Sequence, residues 1–323
     1  MFVSIGLRFK AEVEALNMAE NIGNYVRHRT VPIIVHEKDQ QGNIIGYKIT
    51  MAPGVSGQSI AYGYMKSLVL LAPKYGLPVC QECQNYESIG GFFKRAENVD
   101  LSHDQRIKEC VVEDLTGFMA TKEKTQQQKG KMLRRTSPVS FSYLIPDVTS
   151  ARGVVLPELH VRYNLQNPDQ QAIFQIEAGT AIYIHGVAID IDRIGTTLEN
   201  ESLDKRNERI ALAFDALKVL YGGLLFGAKK ARYNPLFEPL GGVAAFSDSL
   251  PFIVTPPRFT DYVKENVQRA EKYNMGKIRI YCFDREGFTS CGKLNGITSK
   301  NTLEEMIDAI KEDVLNQLGE SKQ

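Results

Sequence analysis

Residues Met51–Leu68, MAPGVSGQSIAYGYMKSL, set a glycine-bearing turn (Pro53, Gly54, Val55, Ser56, Gly57) directly ahead of a helical repeat of apolar residues at Ile60, Ala61, Tyr64, Met65 and Leu68. A helix start of this kind presents unpaired backbone N–H groups and a partial positive charge. With Ser56, Gly57, Gln58 and Ser59 at its mouth it suits a phosphate. An ordinary helix capped by Ser56 accounts for the same residues, so the weight comes from their company. The basic clusters Arg27-His28-Arg29, shortly after Asn24, then Arg134-Arg135 and Lys229-Lys230-Ala231-Arg232 all lie beside glycine, proline or polar turn residues. Arginine-rich turns with a phosphate-suited helix start are what sequence-independent contact with a nucleic-acid backbone requires.

Catalytic readings are weaker. His160, flanked by Arg162 in an apparent strand, has the type and setting of a general base for metal-free RNA cleavage, yet a half-buried strand residue or a phosphate contact explains it better. His28 sits between two arginines that oppose its protonation, which suits backbone contact more than proton transfer. Asp190 and Asp192 would share one face of a strand, thin support for a two-metal nuclease. Cys80 and Cys83 have metal-ligand spacing, but no second cysteine pair follows, and Cys110, Cys282 and Cys291 stand alone. No metal, cofactor or catalytic residue is expected.

The elements that must position these groups follow from periodicity. Val3, Ile5, Leu7, Phe9, Ala11 and Val13 alternate with polar residues, predicting a half-buried strand over 2–15. Val31–His36 and Ile44–Met51 flank a polar turn at Gln40–Asn43 and read as a hairpin. A helix over 59–74 follows, then a stretch from 76 to 135 with little sustained periodicity, read as an insertion standing in place of core. Strands are expected over 158–165, 171–192, 242–246 and 277–283, and helices over 205–221, 259–273 and 301–318. Stripped of insertions, the order strand, helix, strand, strand, helix, strand is the ferredoxin-like plan of RNA-recognition modules. No plain string of base-stacking aromatics marks ordinary base reading.

At 323 residues with 43% hydrophobic and 24% charged content, the chain is globular, and no apolar run approaches the ~20 residues of a membrane span. Five thinly spread cysteines argue for a reducing compartment and against disulfides, with the cytoplasm as default. The formal charge is only +1 but segregated: Phe118–Arg135 carries a net +5 and Glu97–Asp114 a net −4. Such asymmetry suits a local anionic partner.

The turn and helix resemble the glycine-rich signature of the repeat-associated (RAMP) proteins of CRISPR systems. With Asn24–Pro32, Leu133–Ser137, Leu159–Tyr163 and Phe226–Tyr233, the chain resembles more specifically the DevR-type backbone subunit of an archaeal type I-A Cascade complex, in order over roughly residues 1 to 285. The resemblance implies an α+β fold: a ferredoxin-like (modified RRM) palm with large insertions forming finger and thumb extensions. Residues 1–323 would form one elaborated domain, with 76–135 a finger-like insertion. It also implies a non-catalytic protein that binds the CRISPR RNA (crRNA) spacer through its phosphates and presents bases to target DNA. Copies would assemble as a head-to-tail filament beside a large, a small and a handle-binding subunit and a helicase-nuclease. The RNA-binding set is then Asn24, Arg27, His28, Arg29, Ser56, Gly57, Gln58, Ser59, Arg134, Arg135, His160, Arg162, Lys229, Lys230 and Arg232. A metal-independent RAMP endoribonuclease processing CRISPR transcripts is the alternative, and an interaction protein whose basic loops meet acidic protein surfaces is a third reading.

Overall fold

The computed structural model describes residues 1–14, 16–23, 25–89, 94–95, 99–122, 131–150, 154–162, 164, 166–167, 172–228, 230–231 and 233–320. Strand β1 (Phe2–Glu14) sends Val3, Ile5, Leu7, Phe9 and Ala11 into the main core. Its other face is not the solvated one that alternation predicts, because Ser4 and Arg8 are buried as well. The segment around Val254 crosses that face, its N–H donating to Ser4 Oγ at 3.1 Å, and Arg8 pairs with Asp147 (2.5 Å) and Glu286 (2.6 Å). A buried guanidinium is tolerated there because both its charge and its donors are matched.

Strands β2 (Met18–Ile22) and β3 (Tyr25–His28) follow. Then β4 (Thr30–Lys38) and β5 (Ile44–Pro53) form the expected hairpin, its turn held by Asp39, whose carboxylate accepts the N–H groups of Gln41 and Asn43. Helix α1 (Gly57–Leu71) ends in a tight turn at Ala72–Tyr75 and at Gly76, whose φ is +59°. The stretch without clear period holds short helices α2 (Gln81–Gln84), α3 (Tyr86–Ile89), α4 (His103–Glu109) and α5 (Val111–Thr116), then the hairpin of β6 (Phe118–Lys122) and β7 (Lys131–Arg135). Much of it belongs to the core: Cys83, Cys110, Val111, Val112 and Leu115 pack in the main cluster. Helices of one or two turns are too short to print a period, so burial there escaped the sequence reading.

Strands β8 (Val139–Phe141), β9 (Ile145–Pro146), β10 (Val154–Arg162) and β11 (Ala172–Asp190) come next. They are followed by α6 (Arg206–Gly222), β12 (Leu236–Ser247), α7 (Tyr262–Tyr273), β13 (Ile278–Asp284), β14 (Ile297–Lys300) and α8 (Leu303–Glu320). The central sheet runs β14-β13-β12-β1-β11-β3-β2, with β8, β9 and β10 also on β11. It is mixed: β1 is antiparallel to both β11 and β12, whereas β3 runs parallel to β11 and β14 to β13. Strand β12 divides its side chains by alternation. Ala244 and Phe246 join the main core with residues of α1, α5, α6 and α8, and Val243 and Ala245 join a second core under α7. In α6 alone Ile210, Phe214, Leu217 and Leu220 are fully buried, each contributing about 1.5–3 kcal/mol.

Two expectations are corrected here. Strand β11 ends at Asp190 and Asp192 falls in the following tight turn, so the two carboxylates do not share a strand face. Cys282 and Cys291 are not isolated: they form a disulfide, brought together by a loop in which the Asp284 carboxylate accepts the N–H groups of Glu286, Gly287 and Thr289. No helix among the described residues is long and apolar enough to cross a membrane.

Candidate nucleic-acid interface

The start of α1 is capped as the sequence suggests. Ser56 is extended (φ −68°, ψ 142°) and its hydroxyl accepts the Ser59 N–H at 3.2 Å. Ser56 also donates its backbone N–H and its hydroxyl to Asn17 Oδ1, both at 3.0 Å. Gly57 is required by packing within the protein. A Cβ there would overlap the Phe141 carbonyl oxygen, so the missing side chain admits the protein's own β8 segment and not a ligand. Gln58 is exposed and Ser59 half-buried, leaving these two at the open mouth of the helix.

Asn17 ties that mouth to the first basic cluster, since its carbonyl accepts the Arg29 N–H (2.8 Å) while the Arg29 carbonyl accepts the Gly54 N–H (2.9 Å). Arg27 is exposed and Arg29 half-buried, with the Arg29 Nε buried and without a hydrogen-bond partner among the described residues. His28 turns inward, which removes it from any phosphate. A register shift between Ala11 and Glu14 of β1, with Val13 at φ +51°, re-aims the Glu14 carboxylate into the interior, 3.2 Å from His28 Nε2. The His28 N–H donates to Glu177 (2.9 Å), and Tyr183 holds Glu14 by a 2.6 Å hydrogen bond.

The other end of the patch forms around β10. His160 stacks on Phe174, centroids 5.4 Å apart, and its Nε2 meets the Tyr233 hydroxyl at 2.7 Å; that hydroxyl also donates to Glu158 at 3.0 Å. Tyr233 thus fastens the Phe226–Tyr233 loop to β10. The same loop lies on α1, where Gly63 leaves room for Phe226, whose N would stand 2.9 Å from a Cβ. Lys230 donates its ammonium to the Leu224 carbonyl. Burial lowers the pKa of Lys230 and of Lys66 on α1; the Lys66 charge lowers that of Lys230 further, while Glu87 opposes the fall at Lys66. Half-buried ammonium groups of this kind suit an anion. Lys66 escaped the sequence reading because it is a lone lysine on a helix; its one signal is a place four residues after Tyr62, over whose ring it lies.

Register places these parts together. On β11, Phe174 pairs with His160, Gln175 with Tyr25, and Ile176 with Val26, so β3 and β10 meet at the same end of that strand. Arg162 is exposed on β10. Asn24, Lys229 and Arg232 lie outside the described residues.

The Arg134–Arg135 pair splits. Arg134 is exposed; Arg135 is buried on the opposite face of the β6–β7 hairpin. The Arg135 guanidinium donates to the Asp114 carboxylate (2.6 Å) and carbonyl (3.0 Å) and to the Arg193 carbonyl (2.6 Å). Asp114 also binds Arg209 at 2.9 Å. Burial raises the Asp114 pKa and lowers that of Arg135, each charge opposing the shift of the other. Arg135 is therefore a core cation and no phosphate contact. Elsewhere the thiols of Cys80, Cys83 and Cys110 converge, a grouping that the spacing of the first two did not reveal.

Residues 5–267 match the family described as "CRISPR-associated negative auto-regulator DevR/Csa2". The chain is similar to "CRISPR-associated protein Cas7/Csa2 1" of Saccharolobus solfataricus, 32% identical over 262 residues covering 74% of this chain and 76% of that one. It is also similar to "CRISPR-associated aCascade subunit Cas7/Csa2 2" of the same organism, 29% identical over 96% of this chain and 100% of the relative. Among solved structures, a chain of a "CRISPR RNA-guided surveillance complex" superposes with a TM-score of 0.56 at 11% identity, over 97% of this chain and 100% of that one, a likeness of fold. With most of its length matched, and with the basic strand, helix start and loop disposed as described, the chain belongs to the DevR/Csa2 family of CRISPR-associated proteins.

Proposed function

We propose that the chain is a non-catalytic backbone subunit of a type I-A Cascade complex, holding the crRNA spacer by its phosphates. What supports this reading is that β3, bearing Arg27, and β10, bearing His160, pair with the same end of β11, while Asn17 ties Arg29 to the start of α1 and Tyr233 ties the loop bearing Lys230 to β10. These groups suit phosphates and present no ordered donor–acceptor set for reading bases, so bases stay free to pair with target DNA. Strands β12, β1, β11 and β8, with α1 and α6, follow the ferredoxin-like order; we take them as the palm of one elaborated domain, with 76–135 as a finger-like insertion whose base packs into the core and the β4–β5 hairpin as a thumb-like projection. Exposed Ile34, Tyr47, Ile49 and Met51 on the β4–β5 hairpin suit contact with a neighbouring copy in a head-to-tail filament. The large, small and handle-binding subunits and the helicase-nuclease are the further partners this role entails, in the cytoplasm.

The test is RNA binding across a salt series with unrelated spacer sequences. Equal affinities are expected, and Lys66→Ala and Lys230→Ala should each lower the slope of log affinity against log salt by about 0.7. Strong sequence preference, or RNA cleavage that copurifies with the protein and is lost in His160→Ala, would overturn the reading.

A further inference from the structure

We propose that Cys80, Cys83 and Cys110 bind a zinc-class thiophilic divalent cation as three thiolates, with water in the fourth position. Their Sγ atoms lie within 4.8 Å of one another. A tetrahedral ion with metal–sulfur bonds of about 2.3 Å needs sulfurs about 3.8 Å apart, so only a small closure is required. Cys83 and Cys110 are buried and Cys80 is half-buried, which leaves one open side for the water.

The local backbone brings the three thiols together. Cys80 precedes the first turn of α2 and Cys83 lies within it. Cys110 links α4 to α5. A metal bound there would displace the thiol protons, so its affinity should rise with pH.

Nearby charge agrees. Lys94 is buried with its ammonium on the Thr116 and Gly117 carbonyls. Arg95 is already paired with Glu109 and Glu113. Three thiolates on a divalent ion leave one negative charge, which the Lys94 ammonium would help to balance. The ion would fasten the Pro78–Gln84 segment to α4 and α5, now joined in backbone by the Val111 N–H to the Pro78 carbonyl at 2.9 Å.

The experiment uses the full chain, reduced, stripped with chelator and titrated with Co2+ and then Zn2+. About one ion per chain is expected, with sulfur-to-cobalt charge-transfer absorption and the intense visible bands of a tetrahedral site, both abolished when Zn2+ displaces cobalt. Zinc should also shield Cys80, Cys83 and Cys110 from a thiol reagent that modifies them in the stripped protein. Cys80→Ser, at the half-buried position, should weaken Zn2+ at least tenfold. No thiolate absorption with reduced wild-type chain, equal thiol reactivity with and without Zn2+, or unchanged Zn2+ affinity in Cys80→Ser would each overturn the proposal.

Discussion

Replacing Arg135 with alanine separates a folding role from a binding role, because its neighbour Arg134 has the opposite disposition. The change removes the ion pair to Asp114 and the donor to the Asp114 carbonyl, both in the interior, and the donor to the half-buried Arg193 carbonyl. Removing one partner of a buried pair costs about 3–5 kcal/mol. Asp114 keeps Arg209 at 2.9 Å and the Gly195 N–H at 3.0 Å, which places the loss near the lower figure. At roughly 2 °C per kcal/mol for a large chain, the melting temperature should fall by about 6 °C. Arg134→Ala should leave it within about 1 °C and lower the salt slope of RNA binding by about 0.7, whereas Arg135→Ala should leave that slope unchanged below its melting range. Differential scanning fluorimetry and RNA titrations at four salt concentrations give both numbers for each variant. Unchanged melting with a reduced slope in Arg135→Ala would refute the assignment of that residue to the core.

Gly57→Val should lower the melting temperature by several degrees, as its side chain must displace the β8 backbone at Phe141; unfolding monitored by circular dichroism checks this, and an unaltered transition would reopen the turn as a ligand site. His185, fully buried and held by the Tyr221 hydroxyl at 2.9 Å, has its pKa lowered by burial to about 3. Below pH 6.5 the unfolded chain therefore takes up a proton that the folded chain refuses. Stability should fall with pH from 6.5 to about 3, by up to about 1.4 kcal/mol per unit, and denaturant titrations of His185→Gln should lack that component.

The hairpin at residues 30–53 was legible from two apolar runs on either side of a polar turn, and helices α1 and α6 because apolar residues three and four apart run long enough to name the element and the face it buries. Arg134 and Arg135 looked alike because sequence adjacency hides the alternation of a hairpin whose buried face is decided by a distant carboxylate, Asp114. His28 misled for a related reason: its partners Glu14 and Glu177 come from other strands, one re-aimed by a bulge. Cys110 comes to Cys80 and Cys83 only because two short helices fold back on the Pro78 segment, and the loop carrying Lys230 reaches α1 only because Gly63 admits Phe226. Spacing along the chain carries no trace of such meetings. The buried second face of β1 escaped notice because its polar residues are paired across the fold and not solvated.

Assembly on RNA of increasing length tests the central claim most directly. Native mass spectrometry over a ladder of unrelated RNA sequences should show masses that climb in single-subunit steps of about 36 kDa, with steps set by length and indifferent to sequence. One protein mass at every RNA length, or steps that change with sequence at fixed length, would contradict it.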